Sequence, residues 1–203
     1  MDKQELKIGG WLQEAFNLYK ANFVLLFVTS LLALLLGKLT FGILMGPLAA
    51  GMAMIMLRLI DNSEQRPEIG DVFKGFEFFL DSFLLVLASA AVMLIAMVLS
   101  LLVFNSFIAG LLMIVVAVVI HVLVMLALCL IVDKRMDFWP AAQAAFQALK
   151  SAFLPLVLAV LVTIIASSIG GLVCGIGILV TAPMYWCMMV LIYRDMLRNA
   201  PAA

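Results

Sequence analysis

The sequence predicts an all-α integral membrane protein with six transmembrane helices. The chain of 203 residues is 67% hydrophobic and 12% charged, and its mean hydropathy is +1.27. Soluble domains are about 45–50% apolar and about 25% charged, so most of this chain is expected to contact lipid. Long uncharged runs, and a phrase that occurs three times, indicate how the helices are organised.

The uncharged runs predict where the helices lie. Residues 21–37 and 39–57 are each long enough for one span, whereas 82–132 and 151–193 are each long enough for two. A helix needs about 20 apolar residues to cross the hydrocarbon core. We therefore predict spans at about residues 22–37, 40–59, 83–103, 108–131, 153–170 and 174–194.

The distribution of charge predicts the orientation. Eleven of the 12 Lys and Arg residues fall on the side that holds both termini, and Lys38 alone falls on the other. Because positive residues concentrate in cytoplasmic segments, both termini are expected in the cytoplasm. The formal net charge is +0, so no positive face for nucleic acid is expected. Acidic residues share the cytoplasmic side, and no strong patch for anionic lipid is evident.

Three similar phrases mark an internal repeat. They read AFNLYKANF at 15–23, GFEFFLDSF at 75–83 and AFQALKSAF at 145–153, with Phe at the second and ninth positions. Apolar residues in each copy recur every three or four positions, as on one face of a helix. We interpret each as a cytoplasmic amphipathic helix in the membrane interface, ahead of a two-helix hairpin. Alternatively, each segment simply extends the following span into the cytoplasm.

The repeat divides one membrane domain, residues 1–203, into copies at 4–61, 67–133 and 137–196. Asp137 is expected to cap the third amphipathic helix, and Pro155 to separate it from the fifth span. Each copy contains two spans, so the copies are expected to point the same way around a pseudo-threefold axis along the membrane normal. The middle copy differs because it has the longest uncharged run and no Gly-Pro element.

His121 is one candidate functional residue. It is the only histidine, and it falls near the middle of the fourth predicted span. An ionisable residue at that depth is a functional candidate. However, no Asp, Glu or Lys lies in a predicted span to pair with it, and Arg58 and Arg194 lie at span ends, where they are expected to reach the interface. The alternative is a neutral imidazole bonded to Ser, Thr or a backbone carbonyl.

Gly46, Pro47 and Pro183 are the other candidates. A helix broken at Gly46-Pro47 would resemble the interrupted helices at transporter binding sites. The alternative is close helix packing, to which Gly42-x-x-x-Gly46 is suited. The same two interpretations apply to Pro183 in the sixth span.

No residue pattern typical of an enzyme is present. The chain has no zinc-protease, serine-hydrolase or phosphate-loop motif and no paired carboxylates within a span. Its three Cys residues lack metal-binding spacing, and its 14 Met residues are interpreted as adaptable packing. We therefore expect neither an enzymatic activity nor a cofactor or metal.

Four phrases carry a resemblance to a known family. AFNLYKANF, GILMGPLAAGM, DVFKGFEFF and GIGILVTAPMYW…LIYRD resemble uncharacterised bacterial six-helix inner-membrane proteins. Those proteins are similar to the membrane domain of some glycerophosphodiester phosphodiesterases. The resemblance covers about residues 7–196 and implies a six-helix fold in a bacterial inner membrane. It implies no catalytic residues, because the phosphodiesterase domain is absent.

Two functions are compatible with these observations. The first is a non-enzymatic protein that binds membrane lipid or a membrane partner, or assembles as a homo-oligomer. The second is a transporter or pore for a small or apolar solute. The second requires the polar residues of the spans to face one cavity; these are Thr29, Ser30, Ser89, Ser100, Thr163 and Thr181.

Overall fold

The computed structural model describes residues 8–63, 65–103, 106–151, 153, 156–158, 160–161 and 176–198. About 90% of this part is helical, and it contains no strand, which confirms the all-α class for these residues. Most of the fifth predicted span lies outside them, as do Pro155, Thr163 and Cys174.

The described helices follow the expected order along the chain. They are α1 (Ile8–Ala21), α2 (Phe23–Leu39), α3 (Met45–Ile60), a 3-10 helix (Ile69–Phe78), α4 (Phe79–Val103), α5 (Ser106–Lys134), α6 (Phe138–Ser151) and α7 (Ile176–Tyr193). A π-helical turn, Arg194–Arg198, follows α7, and residues 153, 156–158 and 160–161 are also helical.

Two helical stretches are long and apolar enough to cross a membrane, Ile69–Val103 and Phe107–Lys134. A third is added if the bent pair Gly9–Ala21 and Phe23–Leu39 is counted as one span. Met45–Ile60 is a shorter apolar helix. The described residues therefore contain two or three candidate spans by length and composition.

The amphipathic segments join their following helices in different ways. The first pair is bent by 93°, and the side chain of Asn22 at this elbow donates to the Leu18 carbonyl over 3.0 Å. The 3-10 helix instead runs directly into α4, so the separate helix expected in the second copy is continuous with the apolar one. The junction of the third copy lies outside the described residues.

The start of each repeated phrase is buried in the same way. Ala15, Gly75 and Ala145, the first residues of the phrases, are all buried. The Phe residues that follow them, at 16, 76 and 146, are 52%, 37% and 47% exposed. A small residue lets two backbones approach closely, whereas an exposed Phe suits contact with lipid. The phrase thus separates a protein-facing side from an outward-facing side.

Each of the three amphipathic segments packs against an apolar helix from another part of the chain. The 3-10 helix packs against α3, and α6 packs against α5. The first segment, α1, packs against α7 near the other end of the chain and closes the arrangement into a ring. Helix α3 also contacts α2, α4, α5 and α7, so the core is centred on it.

The π-helical turn after α7 makes contacts with aspartates at the ends of other helices. Arg198 donates to Asp61 over 2.8 Å and lies 3.6 Å from Asp133. The indole of Trp11 donates to Asp195, also over 2.8 Å. Hydrogen bonding to Asp61 raises the pKa of Arg198. This turn therefore links the ends of α3, α5 and α7.

The cap of α6 differs from the one expected. The backbone N–H of Phe138 donates to the carboxylate of Asp81 over 2.8 Å, so a residue of α4 supplies this cap. Asp137 contributes only its backbone carbonyl, which accepts from Ala141. The assignment of the side-chain cap to Asp137 was wrong. Capping rules consider residues next to the helix in sequence, whereas Asp81 is 57 residues away and reaches Phe138 only in the folded chain.

Candidate functional site: an apolar cavity beside His121

A cavity of about 380 Å³ lies between α2, α3, α4, α5 and α7. Its walls are mostly aliphatic, and Met45, Met93 and Met125 contribute a flexible side chain from each of α3, α4 and α5. Small-molecule sites in proteins are typically about 300–1,000 Å³ and predominantly apolar, with a few polar groups. Methionine adapts to ligands of irregular shape. The cavity thus has the size and character of a site for an apolar small molecule.

His121 lines this cavity from α5. Its Nε2 is hydrogen bonded to the hydroxyl of Tyr185 on α7, and the two rings lie 5.3 Å apart between centroids. The imidazole partner is therefore a tyrosine rather than the Ser, Thr or carbonyl expected. A hydroxyl and an imidazole can exchange donor and acceptor roles, so the pair can adjust to either polarity in a ligand.

Two of the predicted polar residues also reach the cavity, Ser30 from α2 and Ser89 from α4. The hydroxyl of Ser89 donates to the Val86 carbonyl over 2.7 Å. Ser30 is 2% exposed, and its hydroxyl has no partner among the described residues. A buried hydroxyl without a hydrogen bond costs about 1–3 kcal/mol. A ligand with one polar group would recover that cost.

The remaining polar residues of the set do not line this cavity. Thr29 donates to the Leu25 carbonyl over 2.7 Å, and Ser100 donates to that of Met97 over 2.9 Å. Both therefore bond within their own helices. Thr163 and the side chain of Thr181 lie outside the described residues. A shared polar lining is thus found for Ser30 and Ser89 only.

Gly46 and Pro47 serve helix packing next to the cavity. Pro47 lies in the first turn of α3, where its missing N–H is tolerated, so the helix begins here rather than breaking. A Cβ atom added at Gly46 would lie 2.6 Å from the carbonyl oxygen of Ser82. A methyl group added at Gly75 would overlap the carbonyl of Pro47. These contacts fix the position of α3 against α4 and the 3-10 helix.

Gly42 does not join Gly46 in a packing motif. Its φ of +87° lies in the left-handed region, and no atom lies within 4 Å of a Cβ built on it. It forms part of the turn between α2 and α3, after Phe41 at φ 51°. The close packing expected of Gly42-x-x-x-Gly46 instead involves Gly46 and Gly51, since a methyl at Gly51 would overlap the Val72 carbonyl.

Pro183 is buried inside α7, and two aromatic residues follow it within one turn. Tyr185 bonds His121, and Trp186 lines the cavity. Sequence reasoning missed the place of both residues beside the cavity. Their position after a proline within an apolar span is the signal that could have indicated it.

The polar groups of the site do not form a metal centre. No group of three or more His, Cys, Asp or Glu side chains within the described ranges could hold a metal ion. Cys129 and Cys187 are buried, and the Cys187 thiol lies 3.6 Å from the Met56 sulfur. The arrangement around His121 is suited to binding through apolar contact and one or two hydrogen bonds.

Comparison with models of protein families found no match, and comparisons with curated proteins and with solved structures found none either. The resemblance to bacterial six-helix inner-membrane proteins therefore stays a prediction.

Proposed function

We propose that this chain is a non-enzymatic, multi-pass protein of a bacterial inner membrane, and that it holds a lipid or another amphipathic small molecule between its helices. The observation that carries the proposal is the apolar cavity with the His121–Tyr185 pair and the Ser30 hydroxyl, which has no hydrogen-bond partner among the described residues. An apolar body would fill the cavity, and one polar group would bond to Ser30 or to the pair.

The proposed topology has six spans, arranged as three hairpin repeats, with both termini in the cytoplasm. Three observations support it. Each predicted span other than the fifth overlaps a described apolar helix. The first residues of the repeated phrases are buried alike, and each amphipathic segment packs on the second helix of a neighbouring hairpin. Finally, Asp61, Asp133 and Asp195 meet one turn, as expected if the hairpins end on the same side.

A cavity-filling variant tests the proposed ligand site. In Ser89→Phe, the ring would occupy the cavity, whereas Ala90→Phe places the same ring on an exposed position of the same helix. Native mass spectrometry after extraction in mild detergent should show lipid bound to wild type and to Ala90→Phe. We expect Ser89→Phe to lose most of it.

Circular dichroism and gel filtration establish that both variants are folded before they are compared. Equal lipid retention by the folded Ser89→Phe and Ala90→Phe proteins would rule out this cavity as the binding site. A wild-type protein that emerges as a lipid-free monomer would count against lipid binding altogether. The same spectra report stoichiometry, and thus whether a second copy is bound.

Transport of a small or apolar solute is the second candidate function. It is favoured by one observation, which is that Ser30, Ser89 and His121 line one space among several helices. Thr29 and Ser100 do not line this space, which removes half of the described polar residues from the proposed path. Binding without transport is therefore the simpler proposal.

A further inference from the structure

A second cavity, of about 530 Å³, lies at the elbow between α1 and α2. Its walls come from three places: the elbow itself, the last turns of α3, and the segment that follows α3. Leu18 and Leu25 make one side apolar, whereas Asn22, Arg58 and Arg66 bring polar groups. We call this space the elbow cleft. It does not share a lining residue with the cavity beside His121.

The described residues that line the elbow cleft carry charge of one sign. Among the described residues that line it, Arg58 and Arg66 carry charge, and none is acidic. Arg58 is held from behind by Asp71, at 3.2 Å, but Asp71 also pairs with Lys74 at 2.6 Å. One carboxylate is thus shared between two cations. Arg66 is exposed, and no ion pair joins it to a carboxylate in the described part of the chain.

The end of α3 shapes the polar wall of the cleft. Asn62 adopts φ 47°, and the N–H of Ser63 donates back to the carbonyl of Arg58 over 3.1 Å. This is the Schellman arrangement, in which a left-handed residue ends a helix and satisfies its last carbonyls. Asparagine tolerates that conformation better than most residues. The turned chain brings Asn62, Ser63 and Arg66 to the same cleft as Arg58.

The cleft also lies where apolar helices meet polar chain. Helix α2 begins at Phe23, and α3 ends at Ile60. On the proposed topology, both positions lie at the cytoplasmic headgroup level. An anion with an attached apolar group could there place the anion against the arginines and the apolar part against Leu18 and Leu25.

We propose that the elbow cleft binds a phosphate-bearing anion, held by the guanidinium groups of Arg58 and Arg66. Arginine presents a planar fork of donors that matches phosphate oxygens in a bidentate way. The site rests on the proposed membrane topology, and it is a second, headgroup-selective site, separate from the cavity beside His121. The phosphate can belong to an anionic lipid headgroup or to free phosphate, since both present the same oxygens.

The test compares Arg66→Gln with Lys20→Gln in the full chain. Both remove one positive charge from an exposed residue of the same region, but Lys20 does not line the cleft. Native mass spectrometry in detergent measures binding of phosphatidylglycerol against phosphatidylcholine, each added at known concentration. Loss of a charge-assisted hydrogen bond should weaken phosphatidylglycerol binding about tenfold in Arg66→Gln. Lys20→Gln should remain close to wild type.

A second arm adds inorganic phosphate to the wild-type protein with phosphatidylglycerol bound. Displacement of the lipid identifies a site for phosphate from either source, whereas retention identifies one that also requires the lipid's apolar part. Equal phosphatidylglycerol binding by Arg66→Gln and Lys20→Gln would overturn the proposal. This outcome differs from failure of the His121 cavity, because Ser89→Phe would there retain lipid whatever the headgroup.

Discussion

The first hairpin, α2–α3, has helices of 17 and 16 residues, whereas those of the middle hairpin, α4–α5, have 25 and 29. At about 1.5 Å of rise per residue, α3 is about 24 Å long and α4 about 38 Å. Ten residues of α3 are buried, but only Ser82, Leu85 and Ser100 are buried in α4. Helix α3 therefore packs mainly against other parts of the protein, whereas most side chains of α4 face outward.

This difference changes what each sequence has to specify. In α3, side-chain volume determines whether the helix can pack, because Gly46 and Gly51 allow backbone from other elements to approach closely. Along most of α4, the outward side chains meet no described part of the protein, so their shape is less constrained. Mutations that change side-chain volume should consequently destabilise the protein more in α3 than in α4, and the following three tests run from the largest expected loss of stability to the smallest.

The largest effect is expected from Gly51→Val. A side chain at Gly51 would overlap the backbone carbonyl of Val72, and backbone is costly to displace. Overpacking typically costs about 1–3 kcal/mol and occasionally more, and a clash with backbone is expected to exceed that typical range. The measurement is unfolding in detergent followed by circular dichroism. Gly110→Val in α5 is the control, because no atom lies within 4 Å of a Cβ built there. Similar stability of the two variants would refute the close packing of α3.

An intermediate loss of stability is expected when a large side chain of α3 is shortened, and a smaller one when the same is done in α4. Ile55 in α3 is 0% exposed, and Leu101 in α4 is 62% exposed. Ile55→Ala should cost about 2–5 kcal/mol because it leaves a cavity, whereas Leu101→Ala leaves space that lipid or detergent fills. The same unfolding assay gives both values. A loss at Leu101→Ala as large as that at Ile55→Ala would show that the end of α4 is buried against another chain.

The smallest effect concerns how the middle hairpin is attached to α6. Asp81→Ala removes the carboxylate that accepts the Phe138 N–H, and loss of such a cap costs about 1 kcal/mol. Asp137→Ala should change stability little, since Asp137 contributes its backbone carbonyl. Amide hydrogen exchange at Phe138 should accelerate in the first variant only. Acceleration in Asp137→Ala alone would restore the cap expected from the sequence.

The order of the helices and most of their ends could be predicted from the sequence, because charged residues mark the ends of the uncharged runs. The predicted fourth span, 108–131, lies within α5, and the predicted third span ends with α4 at Val103. The start of α3 was missed by five residues, because the turn at Phe41 and Gly42 is made of the same apolar residues as the helices. Hydropathy measures the solvent preference of a segment and not its backbone angles.

Only part of the candidate site could be predicted from the sequence. His121 stood out because one ionisable residue in an apolar span is conspicuous. Its partner Tyr185 is 64 residues away, and their meeting depends on the rotation of α5 relative to α7. Many rotations of two apolar helices bury similar amounts of surface, so a single sequence does not select one. The elbow cleft was missed for a related reason, since the overall charge balance hid the grouping of Arg58 and Arg66.

Closure of the ring has a consequence for the order of events during biosynthesis. The bond from Trp11 to Asp195 joins residues 184 positions apart, and the pair of Glu14 with Arg194 spans 180. A ribosome releases the N-terminal end first. Helix α1 is therefore made long before the residues that contact Trp11 and Glu14. It is the first of the described helices to be synthesised, and it gains these contacts only after Arg194 and Asp195 have been added to the chain.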